Sequence, residues 1–190
     1  MKRLLATSNA HKVAELRRAM PGWEVEAFEA PGQPPEDGGT FEANARIKAR
    51  HAREHAPPEA WVAGEDSGIE AAALDGRPGV ESARWADDGV AALLAALEGR
   101  DHRRVRYISV IVVIPPEGDE VVATGTLAGA AAAAPRGSEG FGYDPIVVPD
   151  GESQTVAELG NAWKAEHSHR ARAARALVEA AQQRGVPGAK

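Results

Sequence analysis

The sequence predicts an α/β protein built on a mixed β-sheet flanked by helices. Three observations predict it. Short apolar runs alternate with amphipathic helical stretches in the order β-α-β-α-β-α-β-β-β-α. Two strand segments, Val105–Ile114 and Glu120–Ala130, are joined by Pro115-Pro116-Glu117-Gly118-Asp119, which reads as a hairpin turn. The 190 residues suit one domain, or one domain with two lobes, and are enough to bury a core.

Each element follows from its pattern. Arg3–Thr7 is an apolar run that reads as a buried strand and breaks at Ser8-Asn9. His11–Met20 is a helix with Val13, Leu16 and Met20 on one stripe. Trp23–Phe28 alternates Trp23, Val25 and Ala27 against Glu24 and Glu26, a half-buried strand. The Pro- and Gly-rich stretch 31–39 is a loop. Thr40 to His55 is a helix stopped by Pro57-Pro58, and Trp61–Gly64 is a buried strand ending at Glu65-Asp66. Asp87–Leu97 is an amphipathic helix with an Asp cap and Val90, Leu93, Leu94 and Leu97 inward. After the hairpin come a strand at Ile146–Val148 and a long helix, Ala162–Arg184, closed by Gly185. No internal repeat or linker interrupts the chain.

Composition narrows the function. Lys and Arg number 22 against 28 Asp and Glu, a net charge of −6, which argues against a general binder of nucleic acid or of anionic membranes. There is no cysteine, hence no disulfide, thiol nucleophile or Cys-ligated zinc, which fits a cytoplasmic protein. The first residues hold an apolar run too short for a signal peptide, and no stretch reaches the roughly 20 apolar residues of a membrane span.

Four places can carry chemistry. Thr7, Ser8, Asn9, Ala10, His11 and Lys12 lie at a strand-to-helix junction, where backbone N–H groups and a lysine suit an anion; an ordinary capped helix start explains them too. Gly64-Glu65-Asp66-Ser67-Gly68 puts adjacent carboxylates where α/β sheets bind ligands, and such oxygens suit Mg²⁺; a solvated turn is the plainer account. Gly140-Phe141-Gly142-Tyr143-Asp144-Pro145 offers two aromatic rings to stack a flat base and an Asp to accept hydrogen bonds from it, or else is a hydrophobic turn. Lys164, with Ser168-His169-Arg170 about a turn and a half later, forms a donor-rich patch or a solvated helix face. A rival lies in His51-Ala52-Arg53-Glu54-His55, which fits the H-x-x-E-H pattern of inverted zinc peptidases; a solvated helix end explains it more simply.

Read in order, these blocks stop looking independent. TSNxxK at Thr7–Lys12, TFxxNAxxKA at Thr40–Ala49, EDSG at Glu65–Gly68, GRPGVxSARW at Gly76–Trp85, GFGYDP at Gly140–Pro145 and K-x4-HR at Lys164–Arg170 resemble the inosine triphosphate pyrophosphatase family. The chain has only five lysines and three asparagines, yet Lys12, Lys48, Lys164, Asn9 and Asn44 all fall inside these blocks. The resemblance implies an elongated two-lobed fold around a nucleotide-binding cleft, a homodimer, and Mg²⁺-dependent hydrolysis of deaminated purine nucleoside triphosphates to monophosphate and pyrophosphate. It implies that Thr7 to Lys12 hold the phosphates with help from Lys48. It makes Asp66 the active-site carboxylate, a metal ligand or the proton acceptor, with Ser67 touching substrate. Phe141, Gly142, Tyr143, Asp144, Lys164, His169 and Arg170 enclose the base. One departure stands out: a Glu that helps hold the metal is replaced by Ala43. Glu42 lies about 100° round the helix from it, and Glu65 beside Asp66 is the expected substitute. Two alternatives remain: a nucleotide-binding protein that has lost turnover, and a related pyrophosphatase with another base preference.

Overall fold

A computed structural model describes residues 2–183. Six strands form one mixed sheet: β1 (Lys2–Ala6), β2 (Glu24–Phe28), β3 (Trp61–Ala71), β4 (Arg104–Ile114), β5 (Val121–Ala131) and β6 (Val147–Pro149), in the spatial order β2-β1-β3-β4-β5-β6. β1 pairs in parallel with β2 and β3, and β5 pairs antiparallel with β6, so the predicted mixed sheet is present. Five helices accompany it: α1 (Ala10–Ala19), α2 (Phe41–His55), α3 (Gly89–Ala96), α4 (Val156–His167) and α5 (His169–Gln183).

The described chain divides into two compact units. The first comprises residues 2–66, 109–125 and 170–183. Val13, Leu16 and Met20, the stripe predicted for α1, pack with Leu5, Val25, Trp61 and Ile111 from the strands and with Ala173 and Leu177 from α5. Helix α2 presents small residues, Ala45, Ala49 and Ala52, all fully buried. It lies directly against β3, because a methyl group on Gly64 would sit 2.0 Å from the Ala45 carbonyl oxygen and 2.6 Å from the Ala49 nitrogen. Only glycine permits that approach.

The second unit comprises residues 67–108 and 126–169. Ile69, Leu74, Leu93, Leu97, Tyr107, Leu127, Ile146 and Val156 are among the residues of its core. Asp88 caps α3 by accepting from the Ala91 N–H, as the predicted Asp cap requires. Thr155 and Glu158 form a reciprocal capping box at the start of α4.

Two expectations need correction. The acidic Glu65-Asp66-Ser67-Gly68 block does not follow a strand; it lies inside one, since β3 runs on to Ala71. The single long helix Ala162–Arg184 is two helices that break at Ser168 (φ −64°, ψ 160°), and α4 begins earlier, at Val156, with a kink at Gly160. The stop expected at Gly185 lies outside the described residues.

Candidate active site

Strand geometry decides where the paired carboxylates point. Successive side chains on a strand face opposite sides of the sheet, so Glu65 and Asp66 leave adjacent positions of β3 in different directions. Their partners separate accordingly.

Asp66 meets α2. Its Oδ1 lies 2.8 Å from the Lys48 Nζ, and its Oδ2 accepts from Asn44 Nδ2 at 3.2 Å. Asn44 is fully buried and its other side-chain atom, Oδ1, accepts the Gly38 N–H at 2.9 Å, tying the loop before α2 to the helix. That loop delivers a second carboxylate: Glu36 Oε2 lies 3.1 Å from the same Lys48 Nζ. Burial pushes the Asp66 carboxyl group above its ordinary value even though Lys48 pulls the other way. Burial would lower Lys48, but Asp66 and Glu36 more than offset it and hold the ammonium form.

Glu65 meets α1, β4 and α5. Its Oε1 accepts from Ser109 Oγ at 2.8 Å and from Arg170 Nε at 3.1 Å, while Lys12 Nζ lies 2.8 Å from Oε2. Arg170 pairs on its other side with Glu15. Burial alone would raise Glu65; Arg170 and Lys12 overcome it and hold the carboxyl group well below the usual carboxylate range. Glu65 is thus paired with two cations of the chain. Glu42 pairs with Arg46 at 2.7 Å in an exposed position.

In the Thr7–Lys12 segment, Asn9 Oδ1 accepts the N–H groups of both His11 and Lys12, and Thr7 Oγ1 accepts the Asn9 N–H. The cap therefore already uses N–H groups that an anion would take. Ser8, Ala10 and His11 are exposed, and the Lys12 ammonium is the charge the segment contributes.

The second unit holds a separate polar cluster. Asp144 accepts from Tyr107 Oη at 3.0 Å through Oδ1, and from the Phe141 N–H at 2.8 Å and Lys164 Nζ at 2.6 Å through Oδ2. His169 stacks on Tyr107, ring centroids 4.5 Å apart and nearly parallel, and Lys164 Nζ sits 4.7 Å from the Phe141 ring centroid. Asp144 thus accepts three hydrogen bonds from donors of the chain itself. Tyr143 is buried, donating its hydroxyl to the Ser82 carbonyl at 3.0 Å. The helix breaks at Ser168, and the Arg170 guanidinium goes to Glu65 and Glu15. Gly142 is exposed beside half-buried Phe141, and Ser67 follows Asp66 on β3 half-buried.

Sequence reasoning missed Glu15, Glu36, Tyr107 and Ser109. Ser109 carried a signal, a lone hydroxyl inside the apolar run Ile108–Ile114, which must find a partner when buried. Glu15 stands one turn from Lys12 on α1. Glu36, in an irregular loop, carried none.

Residues 3–180 match the Ham1 family. A dITP/XTP pyrophosphatase of Symbiobacterium thermophilum is 47% identical, the match covering 94% of each chain. One from Bdellovibrio bacteriovorus is 40% identical over 96% of this chain and 98% of its own. The Ham1 protein of Staphylococcus aureus superposes with a TM-score of 0.85 at 31% identity, covering 97% of this chain and all of that one. The Mycobacterium abscessus nucleoside-triphosphatase, a dITP/XTP pyrophosphatase, gives 0.73 at 41% identity, covering 93% of this chain and 97% of that one. With a family model matching residues 3–180 and relatives 40–47% identical over nearly the whole sequence, the chain belongs to the Ham1 family.

Proposed function

We propose that this chain hydrolyses deaminated purine nucleoside triphosphates, of the kind ITP, dITP and XTP, to the monophosphate and pyrophosphate. Asp66 carries the proposal: a buried carboxylate clamped by Lys48 and Asn44, in a chain whose relatives are named dITP/XTP pyrophosphatases.

Asp66 and Glu36 are hard oxygen donors that share one ammonium group, and such carboxylates, completed by phosphate oxygens and water, suit Mg²⁺. These two residues would hold it. When bound, Mg²⁺ supplies charge neutralisation at the phosphates. The chain's own groups account for the remainder. Lys12 and Lys48 bring ammonium groups to the triphosphate, with Thr7, Ser8, Asn9, Ala10 and His11 lining the approach. Asn44 fixes the carboxylate plane of Asp66, and in the metal-free chain burial raises its proton affinity. The attacking water gives its proton to Asp66 as its oxygen bonds to the α-phosphorus. The bond from that phosphorus to the bridging oxygen breaks, and pyrophosphate leaves with the electron pair. Glu65 and Arg170 act indirectly, by holding Lys12 and α1 in place.

Ser67, Phe141, Gly142, Lys164 and His169 are assigned to the nucleoside, Phe141 offering a ring face and Lys164 a donor with no acceptor capacity. A 6-keto purine presents an acceptor to that donor, whereas adenine presents a second donor and is penalised. A homodimer acting in the cytoplasm completes the proposal.

Pyrophosphate release measured across ITP, dITP, XTP, GTP and ATP, with and without Mg²⁺, tests it. Release from the deaminated triphosphates that exceeds release from ATP and requires Mg²⁺ is expected. ITP binding without pyrophosphate release would overturn it in favour of a nucleotide sensor.

A further inference from the structure

The H-x-x-E-H pattern on α2 is not absorbed by the pyrophosphatase site. His51, Glu54 and His55 each place one ligand atom within 4.8 Å of the other two, the one such group of three among the described residues. The positions i, i+3 and i+4 share a helix face, and the two imidazole centroids lie 4.7 Å apart.

The ring nitrogens add a second observation. His51 Nε2 lies 3.2 Å from the Gly32 carbonyl oxygen, and His55 Nδ1 lies 2.9 Å from the His51 carbonyl oxygen. A carbonyl only accepts, so each of these nitrogens carries the proton. That leaves a lone pair on His51 Nδ1 and on His55 Nε2. A histidine that donates one ring N–H to a backbone carbonyl while presenting the other nitrogen is arranged as metal-ligating histidines are. The helix end bearing them is clamped: Arg53 donates to the carbonyls of Ala60 at 2.6 Å, Ala56 at 3.0 Å, and Pro57. The nearby cation is therefore turned to the backbone.

We propose that His51, Glu54 and His55 form a site for a transition-metal dication, Zn²⁺ foremost, with solvent in the fourth position. Two imidazoles and one carboxylate are a three-ligand zinc set, and imidazole nitrogen selects against Mg²⁺. The ion would sit on the last turn of α2, distinct in ligands and in metal from the Asp66 site.

Zinc chloride titrated into the untagged full chain in excess Mg²⁺, followed by calorimetry, tests the site. A single zinc ion per chain is expected. His51→Gln and His55→Gln should each weaken binding by roughly tenfold or more, with unchanged circular dichroism and unchanged pyrophosphate release. Asp66→Asn should bind zinc as the parent does. Zinc should raise the melting temperature of the parent and not of His55→Gln. Absence of zinc binding, parental affinity in both histidine variants, or loss of binding in Asp66→Asn would each overturn the proposal.

Discussion

At Asp66, burial outweighs Lys48 and raises the carboxyl group; one residue earlier, at Glu65, Arg170 and Lys12 outweigh burial and lower it. The two shifts have opposite consequences for stability. A raised carboxyl contributes stability below the unfolded value of about 3.9, and that contribution is lost as pH rises through the folded value. Ionised Asp66 therefore costs stability at neutral pH. Asp66→Asn should lose nearly all turnover yet melt at or above the parent temperature at pH 7.5, the gain vanishing near pH 3.5; thermal melts without magnesium at both values check this. Glu65 behaves in reverse: its contribution is complete above about 4.3 and declines only as pH falls toward its depressed folded value. The carboxylate from the loop gives a further prediction. Glu36→Gln should raise the Mg²⁺ concentration for half-maximal activity. Ala43→Glu should add a Thr40 capping box of a few tenths to about 1 kcal/mol. If the magnesium titration of Glu36→Gln matches the parent, Glu36 has no share in the metal.

At the level of elements, the contact of α2 with β3 at Gly64 sets the reach of Lys48 and Asn44 to Asp66. Gly64→Ala forces the helix backbone outward and should cost about 1–3 kcal/mol, as overpacking does. It should also depress kcat beyond what the stability loss explains, which paired denaturation and turnover measurements would reveal. The elements themselves were legible because their apolar periodicity is strong: the stripe of α1, the Asp88 cap and the β4–β5 hairpin stand where pattern places them. Two features were not. Glu65-Asp66-Ser67-Gly68 is built of turn-forming residues, and only tertiary partners on both faces keep it in a strand. Ser168 has no helix-breaking identity, and the break there becomes visible only because Lys164 goes to Asp144 while Arg170 goes to Glu65 and Glu15. The site residues were legible as blocks; their roles depended on pairings between residues far apart in the chain, such as Glu36 with Lys48 and Arg170 with Glu15.

For the whole molecule, the most consequential interaction is the buried Glu15–Arg170–Glu65 group, which links helices at opposite ends of the described chain to the central strand. Arg170→Met leaves two buried carboxylates without their guanidinium, and breaking such a group typically costs about 3–5 kcal/mol. Denaturant unfolding should show that loss, and the deficit should shrink in acid as Glu65 takes up its proton. β1 and α5 also meet in one apolar core, through Leu5 with Leu177 and their neighbours. During synthesis on the ribosome, then, the first strand emerges long before the helix that completes its packing. Glu15 and Glu65 must stay hydrated until Arg170 clears the exit tunnel, so this unit closes only after translation has reached α5. A nascent chain stalled before that helix would hold its first strand open to passing chaperones and proteases.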